Sequence, residues 1–171
     1  MQRVLKIIVT ILLFIISLSI QLFIFNNMSL FGVKPNMLLI SIIVVSLYTS
    51  IYSCTIYSFF LGLIIDLMFG GSGMFTISYT AIGMLLGFIN EDYMKENYFS
   101  IIILTTLSVA LFETVQYFQS MIILSSYVSF FFFLKQVILS ILLNVVLVFI
   151  IRFIFGKIIE HIDKKQNRIY W

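Results

Sequence analysis

Residues 37–69 read MLLISIIVVSLYTSIYSCTIYSFFLGLIIDLMF, an apolar run whose main polar break lies between Thr49 and Thr55. A single helix of this length would be about 50 Å long, well beyond a hydrocarbon core of roughly 30 Å. Two helices near 37–52 and 54–69 would each reach about 24 Å and be slightly short. Local thinning of the bilayer or burial against neighbouring helices would accommodate them. The stretch therefore predicts two membrane helices.

The rest of the chain continues this pattern. Further apolar runs predict spans near 4–25, 74–89, 99–124 and 130–155. Residues 156–171 are expected to continue helically as a basic, aromatic anchor along the inner membrane surface, with a docking site for a cytoplasmic partner as the alternative. The first run is too long for a signal-peptide core, so we expect it to be retained. Because 62% of the 171 residues are hydrophobic and only 10% are charged, a water-soluble fold could not cover itself. The prediction is a single all-α transmembrane domain, 1–171, of about six helices.

The basic residues predict the orientation of these helices. Six spans place both termini and the loop 90–98 on one side, which then carries Arg3, Lys6, Lys95, Arg152, Lys157, Lys164, Lys165 and Arg168. The opposite side keeps Lys34, and Lys135 lies within a span. By the positive-inside rule both termini are expected in the cytoplasm. Membrane topology also explains the net charge of +3, so we expect no nucleic acid partner.

Three charged residues lie inside predicted spans, where each costs about 2.5–3.5 kcal/mol. Asp66 and Lys135 lie at similar depths, roughly 6 and 8 Å below the same boundary, so we expect them to form an ion pair. The alternative for Lys135 is snorkelling to the interface. Glu113 lies nearer the middle of the membrane.

Polar residues recur at spacings of three and four in the last two spans, as Glu113, Gln116 and Ser120 in one and Gln136, Ser140 and Asn144 in the other. Such spacing places each set on one helix face. We expect these faces to meet protein and to join helices through hydrogen bonds. A path for a proton or a substrate is the alternative.

Glycines cluster between residues 62 and 87. Gly70, Gly71 and Gly73 permit a tight turn between the third and fourth spans. Gly83 and Gly87 are four residues apart, a spacing that allows another helix to approach closely. Packing within one bundle is the favoured interpretation, and an interface between subunits, a homo-oligomer included, is the alternative.

Catalytic chemistry finds little support in this sequence. The lone Cys54 and the lone His161 cannot build the usual nucleophilic or metal-binding constellations, and phosphate-binding loops are missing. We expect no enzyme, no cofactor and no metal site, and we interpret Cys54 as a small buried hydrophobic residue.

The stretch 35–89 carries a family resemblance. Pro35 and Asn36 open a span, LGLIIDLMFGGSGMFTISY follows at 61–79, and IGMLLG follows at 82–87. This pattern resembles MreD, the rod shape-determining membrane protein of bacteria. Residues at matching places are Pro35, Asn36, Gly62, Asp66 and Gly73, with Gly83 or Gly87 as a further match. One departure is YTSIYSCT at 48–55, where many relatives carry an arginine.

The resemblance implies a non-catalytic subunit of the lateral cell-wall elongation machinery in the bacterial cytoplasmic membrane. The implied partners are MreC, a single-span protein, and through it MreB filaments and the peptidoglycan polymerase and transpeptidase. We expect the bundle to offer a small-residue face, Gly62 to Gly87, to the span of MreC.

The alternative function is a substrate-binding subunit of an energy-coupling vitamin transporter, whose six-helix membrane fold MreD is thought to resemble. Such a subunit would present a polar, aromatic-lined pocket, for which Asn26, Asn27, Tyr79 and Tyr127 are candidates. A third possibility, a small ion or proton carrier, rests on Glu113 alone.

Overall fold

The computed structural model of the protein describes residues 2–25, 32–69, 72–89, 97–122 and 129–167. Within these residues the chain is helical apart from short connections. The helices are α1 (Gln2–Ile20), which continues as a π-helical turn (Gln21–Phe25), α2 (Met37–Tyr48), α3 (Ile51–Phe69), α4 (Met74–Ile89), α5 (Tyr98–Ile122) and α6 (Phe130–Asn167).

The helices have the length and the apolar character of a membrane bundle. Three segments of the described chain are long and apolar enough to cross a membrane: Ile51–Phe69, Tyr98–Ile122 and Phe130–Ile159. The other apolar helices are shorter: Ile7–Phe23, Met37–Tyr48 and Met74–Ile89. The predicted all-α membrane fold is therefore confirmed.

Helix α2 lies at the centre of the bundle. Every residue from Met37 to Leu47 is buried, and α2 contacts all five other helices. Its two internal serines bond within the helix, since the Ser41 and Ser46 hydroxyls each donate to a backbone carbonyl at 2.7 Å. A helix that is apolar on all sides has no face for water and becomes the core. At 12 residues α2 is only about 18 Å long, and its neighbours shield it from lipid.

The boundary between α2 and α3 differs from the predicted one. Helix α2 ends at Tyr48 and α3 begins at Ile51, whereas the sequence predicted an end near 52 and a start near 54. At Thr49 the chain turns extended, with φ −127° and ψ 163°. The Thr49 backbone N–H and hydroxyl both donate to the carbonyl of Val45, at 3.0 and 2.8 Å. This side-chain bond helps to end the helix early, and α3 is longer as a result.

Helices α3 and α4 form the closest pair, and glycines make their contact possible. A Cβ added at Gly62 would lie 2.5 Å from Thr76 Cα and 2.8 Å from the Phe75 carbonyl oxygen. A Cβ at Gly83 would overlap the Ser58 side chain, and one at Gly87 would lie 2.8 Å from Ile51 Cα.

We call the surface that carries Gly62, Gly83 and Gly87 the glycine face. It packs inside the bundle, which agrees with the favoured interpretation of its spacing. It is occupied by α3–α4 packing and is not open to the span of another protein. The expectation that this face contacts the span of MreC is therefore wrong, because atoms of the bundle itself already fill the space beside these glycines. In the turn between the two helices Gly73 has φ +81°, the left-handed conformation that glycine adopts without strain. Gly70 and Gly71 lie outside the described residues.

Helix α6 is continuous over 38 residues, about 57 Å. The sequence placed the end of the last span at 155 and predicted that the tail continues helically from it, and no helix boundary falls there. Gly156 instead packs on the Tyr48 ring, whose hydroxyl oxygen would lie 2.6 Å from an added Cβ. The predicted tail is helical up to Asn167, and residues 168–171 lie outside the described residues.

Candidate functional site, a polar well at the start of the central helix

A cavity of about 580 Å³ lies at the N-terminal end of α2, and we call it the polar well. It exists because α2 is shorter than its neighbours. The start of α2 contacts Asn144 of α6, 14 residues beyond the first residue of α6. Helix α6 therefore extends about 21 Å past the start of α2. Residues of all six helices line the well, and its polar lining is Gln21, Lys34, Asn36, Tyr79, Glu113, Gln116 and Gln136.

The floor of the well is the capped N-terminus of α2. The Asn36 Oδ1 atom accepts a hydrogen bond from the Leu39 N–H at 3.0 Å, and the Asn36 Nδ2 donates to the Tyr79 hydroxyl at 3.0 Å. The Asn36 N–H donates to Asn144 Oδ1 at 3.1 Å, and the Met37 N–H donates to Gln21 Oε1 at 2.7 Å. Helix ends inside a membrane need such partners because lipid supplies none. The Asn36 predicted from the sequence thus connects α2 with α4 and α6.

One wall of the well joins α5 to α6 through Glu113. The Ser140 hydroxyl donates to Glu113 Oε1 at 2.6 Å, and Gln136 Nε2 donates to Glu113 Oε2 at 3.1 Å. Asn144 Nδ2 donates to the Ser140 carbonyl oxygen at 2.8 Å. The two polar faces thus meet through Glu113; the spacing of three and four predicted that each face contacts protein, but not which helix lies opposite.

Gln116 lies one helical turn from Glu113 and also lines the well. Its Nε2 atom is buried and has no hydrogen-bond partner. A buried donor without a partner costs about 1–3 kcal/mol. Gln116 thus brings an unused donor to the wall that carries the carboxylate.

Another part of the lining is aromatic. The Tyr79 and Phe112 rings stack with centroids 5.1 Å apart and planes 8° apart. The centroid of the Phe75 ring lies 6.2 Å from that of Tyr79 and 6.1 Å from that of Phe112. Of the four pocket residues suggested by the sequence, Tyr79 lines the well, whereas Asn26, Asn27 and Tyr127 lie outside the described residues.

Asp66 does not line the well, and its role is to cap α4. Asp66 Oδ2 accepts hydrogen bonds from the Thr76 N–H at 2.7 Å and the Thr76 hydroxyl at 2.6 Å. The carboxylate therefore stabilises the positive end of the α4 dipole. Lys135 is exposed on α6, which fits the snorkelling alternative. The expected ion pair is corrected, because Asp66 bonds across the α3–α4 turn instead.

Sequence reasoning missed two residues of the site, Gln21 and Phe112. Gln21, in the π-helical turn after α1, accepts a hydrogen bond from the first amide of α2, and a lone glutamine inside an apolar run was the available signal. Pro35, which the sequence analysis named, is buried in the segment before α2.

Among the described residues, no group of three or more His, Cys, Asp or Glu side chains could hold a metal ion.

Comparison with known proteins gives one match. A family model described as rod shape-determining protein MreD matches residues 1–158. The search of curated proteins and the search of solved structures find no match.

Proposed function

Because the chain belongs to the MreD family of rod shape-determining proteins, we propose that it is a non-catalytic subunit of the bacterial cell-wall elongation machinery. It holds a single-span partner of the MreC type in the cytoplasmic membrane, and through that partner it connects to MreB and to the peptidoglycan polymerase and transpeptidase. The family match over most of the chain is the observation that carries this proposal. Within the bundle Asp66 caps α4 and Glu113 joins α5 to α6.

A chain that is 62% hydrophobic meets other proteins mainly through helix faces inside the membrane. Since the glycine face is filled, the partner needs another surface. A groove of about 770 Å³ lies between α1 and α3, and we call it the α1–α3 groove. Its walls include Ile7, Ile11, Ile56, Phe60 and Ile64, and its polar residues are Thr10, Tyr48, Thr49, Ser50, Ser53 and Tyr57.

The α1–α3 groove offers a transmembrane helix two walls to contact, whereas a convex helix face offers one surface. Ile11 and Ile56 are 52% and 58% exposed, so both walls are available to a neighbour. The hydroxyl groups of Ser50 and Ser53 lie 3.3 Å apart and are exposed in the groove, and a hydrogen bond from such a group to another membrane helix contributes about 0.6 kcal/mol. We therefore assign the partner's span to this groove.

Cross-linking tests this assignment directly. In a Cys54→Ser background, Ile11→Cys and Ile56→Cys place cysteines in the α1–α3 groove, and Leu142→Cys and Ile150→Cys place matched controls on the exposed face of α6. With a cysteine scan of the partner's span, we expect cross-links from the groove positions. Cross-links confined to the α6 positions would contradict the assignment.

Cell shape tests the function itself. Depleting the protein from rod-shaped cells should produce rounded or bulging cells. Ile56→Trp should fail to restore the rod shape, whereas Leu142→Trp should restore it. Both variants need to accumulate in the membrane at the wild-type level for this comparison.

The polar well supports a second candidate function, the substrate-binding subunit of a vitamin or small-molecule transporter. Normal shape combined with a nutrient requirement after depletion would favour that candidate. Neighbouring genes for a transporter ATPase would favour it as well, and neighbouring genes for an MreC-like protein would favour the scaffold.

A further inference from the structure

The polar well has the size of a ligand site. Its volume of about 580 Å³ falls within the roughly 300–1,000 Å³ of small-molecule pockets. It combines a mostly apolar wall with a few polar groups, as such pockets do. Scaffolding through the α1–α3 groove makes no use of it.

The charge of the lining selects the ligand. The two groups that donate to the Glu113 carboxylate, Ser140 and Gln136, are both neutral. A carboxylate offers about four acceptor positions, so Glu113 can accept further donors. In the membrane interior a cation is the group that stabilises this charge most.

The aromatic wall favours the same chemistry. The faces of aromatic rings attract ammonium groups, and Phe75, Tyr79 and Phe112 line the well together with Glu113. An anion placed between this wall and the carboxylate would be repelled by both.

Two further groups indicate what accompanies the ammonium group. The buried Gln116 Nε2 has no partner and would donate to an oxygen of the ligand. Lys34 adds a positive charge to the same lining. A carboxylate together with these two donors in one lining fits a ligand that carries an ammonium group and an oxygen acceptor.

We propose that the polar well binds an amino alcohol, with its ammonium group against Glu113 and the Tyr79–Phe112 wall and with an oxygen near Gln116. Free ethanolamine or phosphoethanolamine and the headgroup of phosphatidylethanolamine share this chemistry. This proposal does not rest on the scaffold function. Its test measures ligand binding and not cell shape, so the two proposals can fail separately.

The test uses the full-length protein in nanodiscs. In the first arm the nanodiscs contain phosphatidylglycerol only, and ethanolamine, phosphoethanolamine, glycerol and glycerol phosphate are added as soluble probes, with binding measured by saturation-transfer NMR. In the second arm the nanodiscs contain equal amounts of phosphatidylethanolamine and phosphatidylglycerol, and native mass spectrometry measures the retained lipid. Binding in the first arm identifies a free amine, and selective retention in the second identifies a headgroup.

Glu113→Gln keeps the shape and an acceptor for Ser140 but removes the charge. We expect it to weaken binding of the ammonium probe or the selective retention at least about 10-fold, as loss of a charged hydrogen bond does. Lys157→Gln removes an exposed charge near the other end of α6 and should change binding less than about 2-fold, since surface substitutions away from a site have small effects. If Glu113→Gln fails to fold, Gln116→Leu replaces it, with the same expected direction. No preference for the ammonium compounds in either arm, or unchanged binding by a folded Glu113→Gln, would overturn the proposal.

Discussion

Gly62→Ala is the sharpest test of the packing between α3 and α4. The added Cβ would lie 2.5 Å from Thr76 Cα and 2.8 Å from the Phe75 carbonyl oxygen. Both are backbone atoms of α4, so no side chain can rotate away. The helices would have to separate by about 1 Å to restore an ordinary contact distance.

The expected cost follows from that displacement. Overpacking of this kind costs about 1–3 kcal/mol, and we expect the upper half of that range because the clash is with backbone. The hydrogen bonds from Thr76 to Asp66, one helical turn along α3 from Gly62, would also lengthen. For a chain of this size the midpoint of thermal unfolding, Tm, should fall by roughly 5–10 °C.

The assay is thermal unfolding of the purified protein in detergent without any partner. Ala81→Val is the matched control, because it adds bulk to the exposed side of α4 and should cost within about 0.5 kcal/mol. The reasoning fails if Gly62→Ala leaves the Tm unchanged while it abolishes co-purification of the single-span partner. That result would mean that the glycine contacts another protein rather than α4.

Further predictions follow from the other contacts. Asn36→Ala should lower stability by about 2 kcal/mol, since it removes the N-cap of α2, and it should cost more than Tyr79→Phe, which removes one hydroxyl worth about 1 kcal/mol. Chemical denaturation of both variants in detergent measures the difference. The losses of unfolding free energy in Asp66→Asn and Lys135→Gln should add within about 0.5 kcal/mol in a double-mutant cycle. A coupling energy several times larger would show that the two residues do form an ion pair. Gly156→Ala should cost about 1 kcal/mol, less than Gly62→Ala, because its neighbour is the end of a side chain that can shift.

The sequence predicted the helices best where strong breaks bound them. Helix α4 spans Met74–Ile89, the range expected from the glycine turn before it and the polar loop after it. The α2–α3 boundary was displaced because Thr49 and Ser50 are weak breaks, and only the hydrogen bonds to Val45 show where the helix stops.

Contacts between helices were predicted only in part. Spacing defines a face, so it indicated that the Glu113 set and the Ser140 set each face protein. Spacing does not say which helix lies opposite, and the glycine face was therefore assigned to a partner. Similar depth likewise suggested Lys135 for Asp66, but depth leaves the position around the bundle open, and the capped helix lies just across the turn.

The polar well could not be predicted from local patterns. It results from the difference in length between α2 and the helices around it, which becomes visible only when their relative heights are known. Tyr79 was suggested as a lining residue on chemical grounds, whereas Phe112 carries no polar signal and looked like any other apolar residue of its span.

The complete enclosure of α2 has a consequence for biosynthesis. Its cap bonds to Asn144, a residue 108 positions later in the chain, and its last turn packs on Phe155. Both residues belong to α6, so during translation they emerge after α1 to α5 have been made. Until then, residues 37–48 lack their final contacts with α6. A ribosome that stalls before residue 144 therefore leaves an incomplete bundle, which membrane quality-control proteases can degrade.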